Sequence, residues 1–185
     1  ELNITNEVSV EYVYGGMFKG NPDITAAMDT WYGTKGVEVV FACGGGIYTS
    51  ACEAAKKVGK KVIGVDVDQS AIMNSTYGDG ICITSAMKGL AATVNTALTD
   101  LILKDGKNWD STYAGKITNM GLVSGTDPKL NYVQLPMDTW SMTKFTVEDY
   151  KALVKKLYDK EITVSGATDA MPTVTITVTQ YPNIK

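Results

Sequence analysis

The sequence predicts an α/β fold built on a parallel sheet flanked by helices, a Rossmann-like three-layer sandwich. Three observations lead there. Over residues 8–84, β-rich runs alternate with helical patterns. The runs at 37–42 and 61–65 are apolar on both faces, as strands covered from both sides must be. Between a strand pattern and a helix pattern stands Gly44-Gly45-Gly46, a turn of the kind that joins strand to helix in such folds. Right-handed crossovers then follow.

Each element has a local reason. Residues 8–14 are rich in β-branched and aromatic side chains and stop at Gly15-Gly16, which predicts a strand. Residues 22–32 predict a helix, with Asn21 as its cap, Pro22 at its first position and Ile24, Ala27, Met28 and Trp31 on one face. After the strand at 37–42, residues 47–58 predict a helix with an apolar face through Ala51 and Ala55. Ser50 and Glu53 fit a capping box, and Gly59 ends it. Strands follow at 61–65 and 81–84. Ser85 has the chemistry to cap a long helix to about residue 104, striped by Leu90, Val94, Leu98, Leu101 and Ile102. Residues 104–108 are a polar break, and 116–123 and 131–135 read as short strands around a turn. Thr146 caps a helix to about residue 160, with Val147, Tyr150, Leu153, Val154 and Leu157 inward and Phe145 stapled to Tyr150. Residues 173–179 alternate Thr with Val174, Ile176 and Val178, the pattern of a half-buried edge strand.

Composition narrows the function. The 185 residues, 44% hydrophobic and 20% charged, suit one globular domain or one and a fraction. With 17 basic against 20 acidic residues the net charge is −3, which lacks the electrostatic footprint of a nucleic-acid binder. No His is present, which excludes Ser-His and Cys-His catalysis and His-ligated zinc within the chain. No apolar run approaches the roughly 18 residues of a membrane span. The three Cys are too scattered for a disulfide framework or a metal site. Glu1-Leu2-Asn3 is no signal peptide; a mature chain can start this way, and so can a fragment, in which these residues would be the tail of a helix that began earlier.

In sheets of this kind ligands meet the carboxyl ends of the strands. Three segments fall there: 15–19, 43–48 and 66–69. The triple glycine lets a ligand approach the backbone, and the helix start offers free N–H groups. It is equally a tight turn. Gly44-x-Gly46 with Asp66 about 20 residues on matches part of a dinucleotide fingerprint, but Thr49 holds the third glycine position. Asp66 and Asp68 put carboxylates just past a strand, where they could accept from vicinal hydroxyls or serve the turn. Lys88 is placed third in the helix capped by Ser85, a cation at the positive end of the helix dipole, at a cost of up to about 1 kcal/mol. A residue against a local rule is a functional candidate, though a solvated Lys tolerates the same place. Tyr14, Met17, Phe18 and Tyr48 could supply a stacking wall.

Taken together, Val39-Val40-Phe41-Ala42-Cys43-Gly44-Gly45-Gly46, Glu53-Ala54-Ala55, Gly64-Val65-Asp66-Val67-Asp68-Gln69 and Thr84-Ser85-Ala86-Met87-Lys88 resemble the basic membrane protein (BMP) family. These are the purine-nucleoside-receptor-like substrate-binding lipoproteins of bacterial ABC importers. Tyr14-Gly15-Gly16-Met17-Phe18 is similar to the family's aromatic-glycine motif, and the likeness spans roughly residues 8–160. The resemblance implies a type I periplasmic-binding-protein lobe and a nucleoside, expected to be a purine one, held between two lobes. By it, Phe18 stacks on the base, with Met17 as the alternative one residue earlier. Gly44 and Gly45 approach the ribose with backbone groups, Asp66 accepts from ribose hydroxyls and Lys88 donates to them. The family often has Gly-Gly-Thr-Gly where this chain has Gly44-Gly45-Gly46-Ile47, so a side-chain contact there is not carried over.

The implied protein is no enzyme and needs no cofactor or metal. Its partner is an ABC permease, and its place is the extracellular face of the cell membrane, held by a lipid anchor. The chain is expected to be the C-terminal part of a longer receptor: residues 1–84 the second lobe, 85–115 a helix and connection crossing to the first lobe, and 116–185 returning strands, a helix and an edge strand. Uncovered lobe surface and an open sheet edge would favour self-association of such a piece. Two other readings fit the same residues: a small nucleotide-dependent oxidoreductase using Gly44–Gly46 and Asp66, and a sensory ligand-binding domain of the same fold.

Overall fold

The computed structural model describes residues 8–184. The helix tail expected at Glu1-Leu2-Asn3 lies outside them. The described residues form two compact units, one of 8–63, Ser70–Ile83 and 164–184, the other of Gly64–Gln69 and Thr84–Thr163.

The first unit opens with β1 (Ser9–Tyr12) and α1 (Pro22–Gly33), followed by β2 (Val39–Phe41), α2 (Tyr48–Val58), the start of β3 (Lys61–Asp66) and α3 (Ser70–Tyr77). Local chemistry explains α1: Asn21 accepts from the Ile24 N–H at 2.8 Å and Pro22 starts the helix. Its Ile24, Met28, Trp31 and Tyr32 are buried, each contributing about 1.5–3 kcal/mol by leaving water. They join Val40, Val62, Met73, Cys82 and the Ala51–Ala55 face of α2 in one apolar core. β2 and β3 pair in parallel, Val40 opposite Val62. β6 (Thr177–Gln180) pairs in parallel with β1 as a separate two-stranded sheet. The alternating run at 173–179 thus forms a strand only in its last part, and Val174 is exposed.

The second unit holds the remainder of β3 and of β4 (Cys82–Lys88), then α4 (Leu90–Leu98), which continues as a π-helical turn, Thr99–Leu103. A short α5 (Trp109–Thr112), a 3-10 turn (Pro128–Leu130), β5 (Val133–Gln134) and α6 (Val147–Tyr158) complete it. The larger sheet has the order β2-β3-β4-β5. It is α/β with helices flanking parallel pairing, as expected, except that β5 runs antiparallel to β4, Lys88 opposite Val133. α6 carries the capping box Thr146/Asp149 and buries Tyr150 and Val154.

Three expectations are corrected. Ser85 and Lys88 do not begin a helix: both lie in β4, and the helix starts after Gly89. Pairing with β5 outweighs the capping preference of Ser85, and the Gly89 N–H donates to Tyr132 O at 2.8 Å. Lys88 therefore opposes no helix dipole. Ser50 does not cap α2. It is buried within the helix, and its hydroxyl exchanges hydrogen bonds with the backbone N–H and C=O of Asn21. Residues 116–123 form no strand. There Asn131, fully buried, accepts from the Val123 and Ser124 N–H groups at 2.7 and 2.8 Å and donates to Ser124 O, doing by side chain what a ladder would do by backbone. The apolar stripe of α4 is exposed, with Leu90, Val94 and Leu98 about half accessible.

Candidate functional site

In the first unit the chain leaves β2 through two consecutive tight turns, the Cys43 N–H donating to Phe41 O and the Gly44 N–H to Ala42 O. Gly45 sits at φ +40, where an L side chain is strained. The Gly46 N–H donates to Phe18 O at 2.8 Å, and Lys19 bridges Gly46 in parallel. These bonds fix Phe18 over the glycine turn: a Cβ on Gly44 would lie 3.7 Å from Phe18 Cδ1, and one on Gly45 3.8 Å from Phe18 Cβ. Phe18 itself is 78% exposed. Met17 is engaged elsewhere, its sulfur accepting from Asn21 Nδ2 at 3.2 Å. The arrangement offers an open aromatic face beside bare backbone, suited to stacking a planar ring.

In the second unit β3 ends at Asp66, which adopts φ +69. The Val67 N–H donates back to Val65 O at 2.8 Å, closing a three-residue γ-turn around Asp66. The turn aims the Asp66 carboxylate at Lys88 Nζ, 2.6 Å away. The side chains are 37% and 69% exposed, so the pair contributes at most about 1 kcal/mol. A left-handed backbone at a residue with a Cβ costs about 1–3 kcal/mol. Stability therefore does not explain the geometry. What the geometry provides is an exposed acceptor and an exposed donor side by side, able to take hydroxyl groups. Asp68 does not follow Asp66 along a continuing strand, because the strand has ended. Its Oδ2 accepts from Thr139 at 2.7 Å.

The five residues singled out from sequence thus form two sets. Phe18, Gly44 and Gly45 meet in the first unit, and Asp66 and Lys88 meet in the second. Two hollows, about 490 Å³ beside Asn21 and Glu53 and about 290 Å³ beside Asp68 and Gln134, include none of them. Gln69 and Ser85 were not among the candidates. Gln69 Oε1 accepts from the Val65 N–H at 3.0 Å, and the Gln69 N–H donates to Ser85 Oγ at 3.1 Å. The amide directly after the paired Asp residues was the available signal, but Ser85 read as a helix cap and hid its partnership. Among the described residues, no three His, Cys, Asp or Glu side chains gather as a metal group, and no helix is long and apolar enough to cross a membrane.

The α/β architecture with largely parallel pairing is consistent with a lobe of the periplasmic-binding-protein type, a fold whose ligands meet the carboxyl ends of the strands. The family model described as "ABC transporter substrate-binding protein PnrA-like" (Bmp) matches residues 3–167. The chain belongs to that family of ABC-transporter substrate-binding proteins. Comparison with curated proteins and with solved structures returns no match.

Proposed function

We propose that this protein captures a nucleoside, a purine one, and delivers it unchanged to the permease of a bacterial ABC importer. Phe18 stacks on the base, Gly44 and Gly45 admit the sugar to the backbone, Asp66 accepts from the ribose hydroxyls and Lys88 donates to their oxygens. The observation that carries the reading is the Asp66–Lys88 pair, 2.6 Å apart and half open to solvent on a strained turn. A vicinal diol can replace such a weakly stabilising pair contact by contact, giving its hydrogens to the carboxylate and its lone pairs to the ammonium. Capture and release require no general base and no cofactor, so the function is binding and not catalysis.

The same reading makes the protein a lipid-anchored receptor on the outer face of the cell membrane. Its α4 segment crosses to a first lobe that completes the cleft, and 116–185 return from it. The exposed stripe Leu90, Val94 and Leu98 supports this, since a lone helix gains nothing from it. Calorimetry on the full-length protein tests the proposal with adenosine, guanosine, inosine, uridine and the matching free bases. Ribonucleosides should bind and free bases should bind at least tenfold more weakly. If none of the four nucleosides gives heat of binding, the proposal fails.

A further inference from the structure

We infer that Gln69 and Ser85 are positioning residues that hold Asp66 in its left-handed turn and so set the direction of its carboxylate. The inference deepens the nucleoside reading and rests on it for the ligand. Its conformational part stands on the turn alone.

The γ-turn around Asp66 is a rare, strained conformation and persists only where its surroundings enforce it. The surroundings here are specific. Gln69, 8% exposed, folds its side chain back across the turn so that Oε1 takes the Val65 N–H at 3.0 Å, tying the residue before Asp66 to the residue three after it. The Gln69 backbone N–H is in turn held by the hydroxyl of Ser85, which is fully buried, at 3.1 Å. Ser85 is three residues before Lys88 on the same strand, so one strand presents both the anchor of the turn and the cation that Asp66 meets. Gly64 closes the arrangement: a Cβ there would stand 2.7 Å from both Gln69 Oε1 and Ser85 Oγ, so both polar atoms occupy the space a side chain would need. At the far side, Thr139 holds Asp68 at 2.7 Å. Of the polar groups on this turn, the Asp66 carboxylate is aimed outward to the Lys88 ammonium, while Gln69 serves the turn's own backbone.

Asp66 would touch ligand, whereas Gln69 and Ser85 act only through Asp66. A residue that merely supports the fold would lower stability without favouring one φ angle or one ligand contact.

The test uses the full-length protein with Gln69→Met, which keeps length and removes the acceptor, and Ser85→Ala, which removes the hydroxyl at minimal change in volume. Backbone NMR reads the φ of Asp66 from its HN–Hα coupling and its Cα and Cβ shifts. Both variants should move Asp66 out of the positive-φ range while the resonances of α1 and α2 stay in place. Calorimetry with the tightest-binding purine nucleoside should show about a tenfold loss in each variant, the scale of one or two lost hydrogen bonds. In an Asp66→Ala background the same substitutions should add nothing, because the group they position is gone. An unchanged Asp66 φ in both variants overturns the inference, whatever the ligand. So does a full tenfold loss that persists in the Asp66→Ala background. If Asp66→Ala alone leaves nucleoside affinity intact, the assignment of Asp66 to a nucleoside site fails, and the NMR result still decides the positioning.

Discussion

At Asp66 three facts coincide: a positive φ in a residue with a side chain, a turn tied by Gln69, and an ion pair too exposed to repay the strain. Asp66→Ala should therefore weaken nucleoside binding by about 1.5–3 kcal/mol, the range for hydrogen bonds to a charged group, while melting moves little; titration calorimetry and thermal denaturation read the two separately. Lys88 calls for a different argument from the one its sequence position suggested. On a strand rather than a helix it opposes no dipole, and at 69% exposure its removal should shift stability by no more than about 0.5 kcal/mol while still weakening binding. Cys43 gives an independent residue-scale probe. It is exposed beside Gly44, whereas Cys52 and Cys82 are buried. A thiol reagent should label one cysteine of three in the native protein, identified by peptide mapping, and a bound purine nucleoside should slow that labelling. Fast labelling of Cys52 would contradict the packing of α2.

Elements show where local reasoning suffices and where it does not. The bounds of α1 and α6 were legible because their determinants are local: Asn21 and Pro22 for one, the Thr146 box for the other. β4 was not. Ser85 carries a good cap signal, but the strand runs on past it to pair Met87 with Gln134 and Lys88 with Val133, and its hydroxyl accepts from the Gln69 N–H in the loop after β3, none of which a short window contains. Asp66 was visible for the same kind of reason as α1, since a polar group directly after an apolar run marks a strand end, whereas Lys88 was singled out on a helix that does not form there and Phe18 by family resemblance. The pairing of Asp66 with Lys88 was hidden, because it depends on the backbone angle at Asp66. Asn131 shows a third case, a single buried amide standing in for a strand. Asn131→Ala should cost roughly 2–3 kcal/mol by leaving two backbone donors and one acceptor unmatched, measured by urea denaturation; a loss under about 0.5 kcal/mol would show that water replaces it.

For the molecule as a whole, burial sets the alkaline limit. Burial pushes the Cys52 thiol up to about 12 and the Tyr32 phenol well above its usual range, with neighbouring ionisable groups adding to both. Both are acids whose pKa is higher folded than unfolded. The unfolded chain thus loses protons first, and stability is intact below about pH 9 and declines from there toward about pH 12. Cys52 removes up to about 1.4 kcal/mol per pH unit across that window, and Tyr32 adds its own decline only above about pH 10. Under reducing conditions the melting temperature should be level from about pH 7 to about pH 8.5 and fall beyond, less steeply in Cys52→Ala. The chain belongs to the PnrA-like substrate-binding family, and the proposal that its ligand is a ribonucleoside rests on the exposed Asp66–Lys88 pair. The most direct measurement is titration calorimetry of a purine ribonucleoside and its 2′,3′-dideoxy analogue into wild-type and Asp66→Ala full-length protein. The account predicts that the wild type prefers the ribonucleoside by at least tenfold and that Asp66→Ala abolishes the preference. Equal affinity of the wild type for both compounds, or no binding of either, would contradict it.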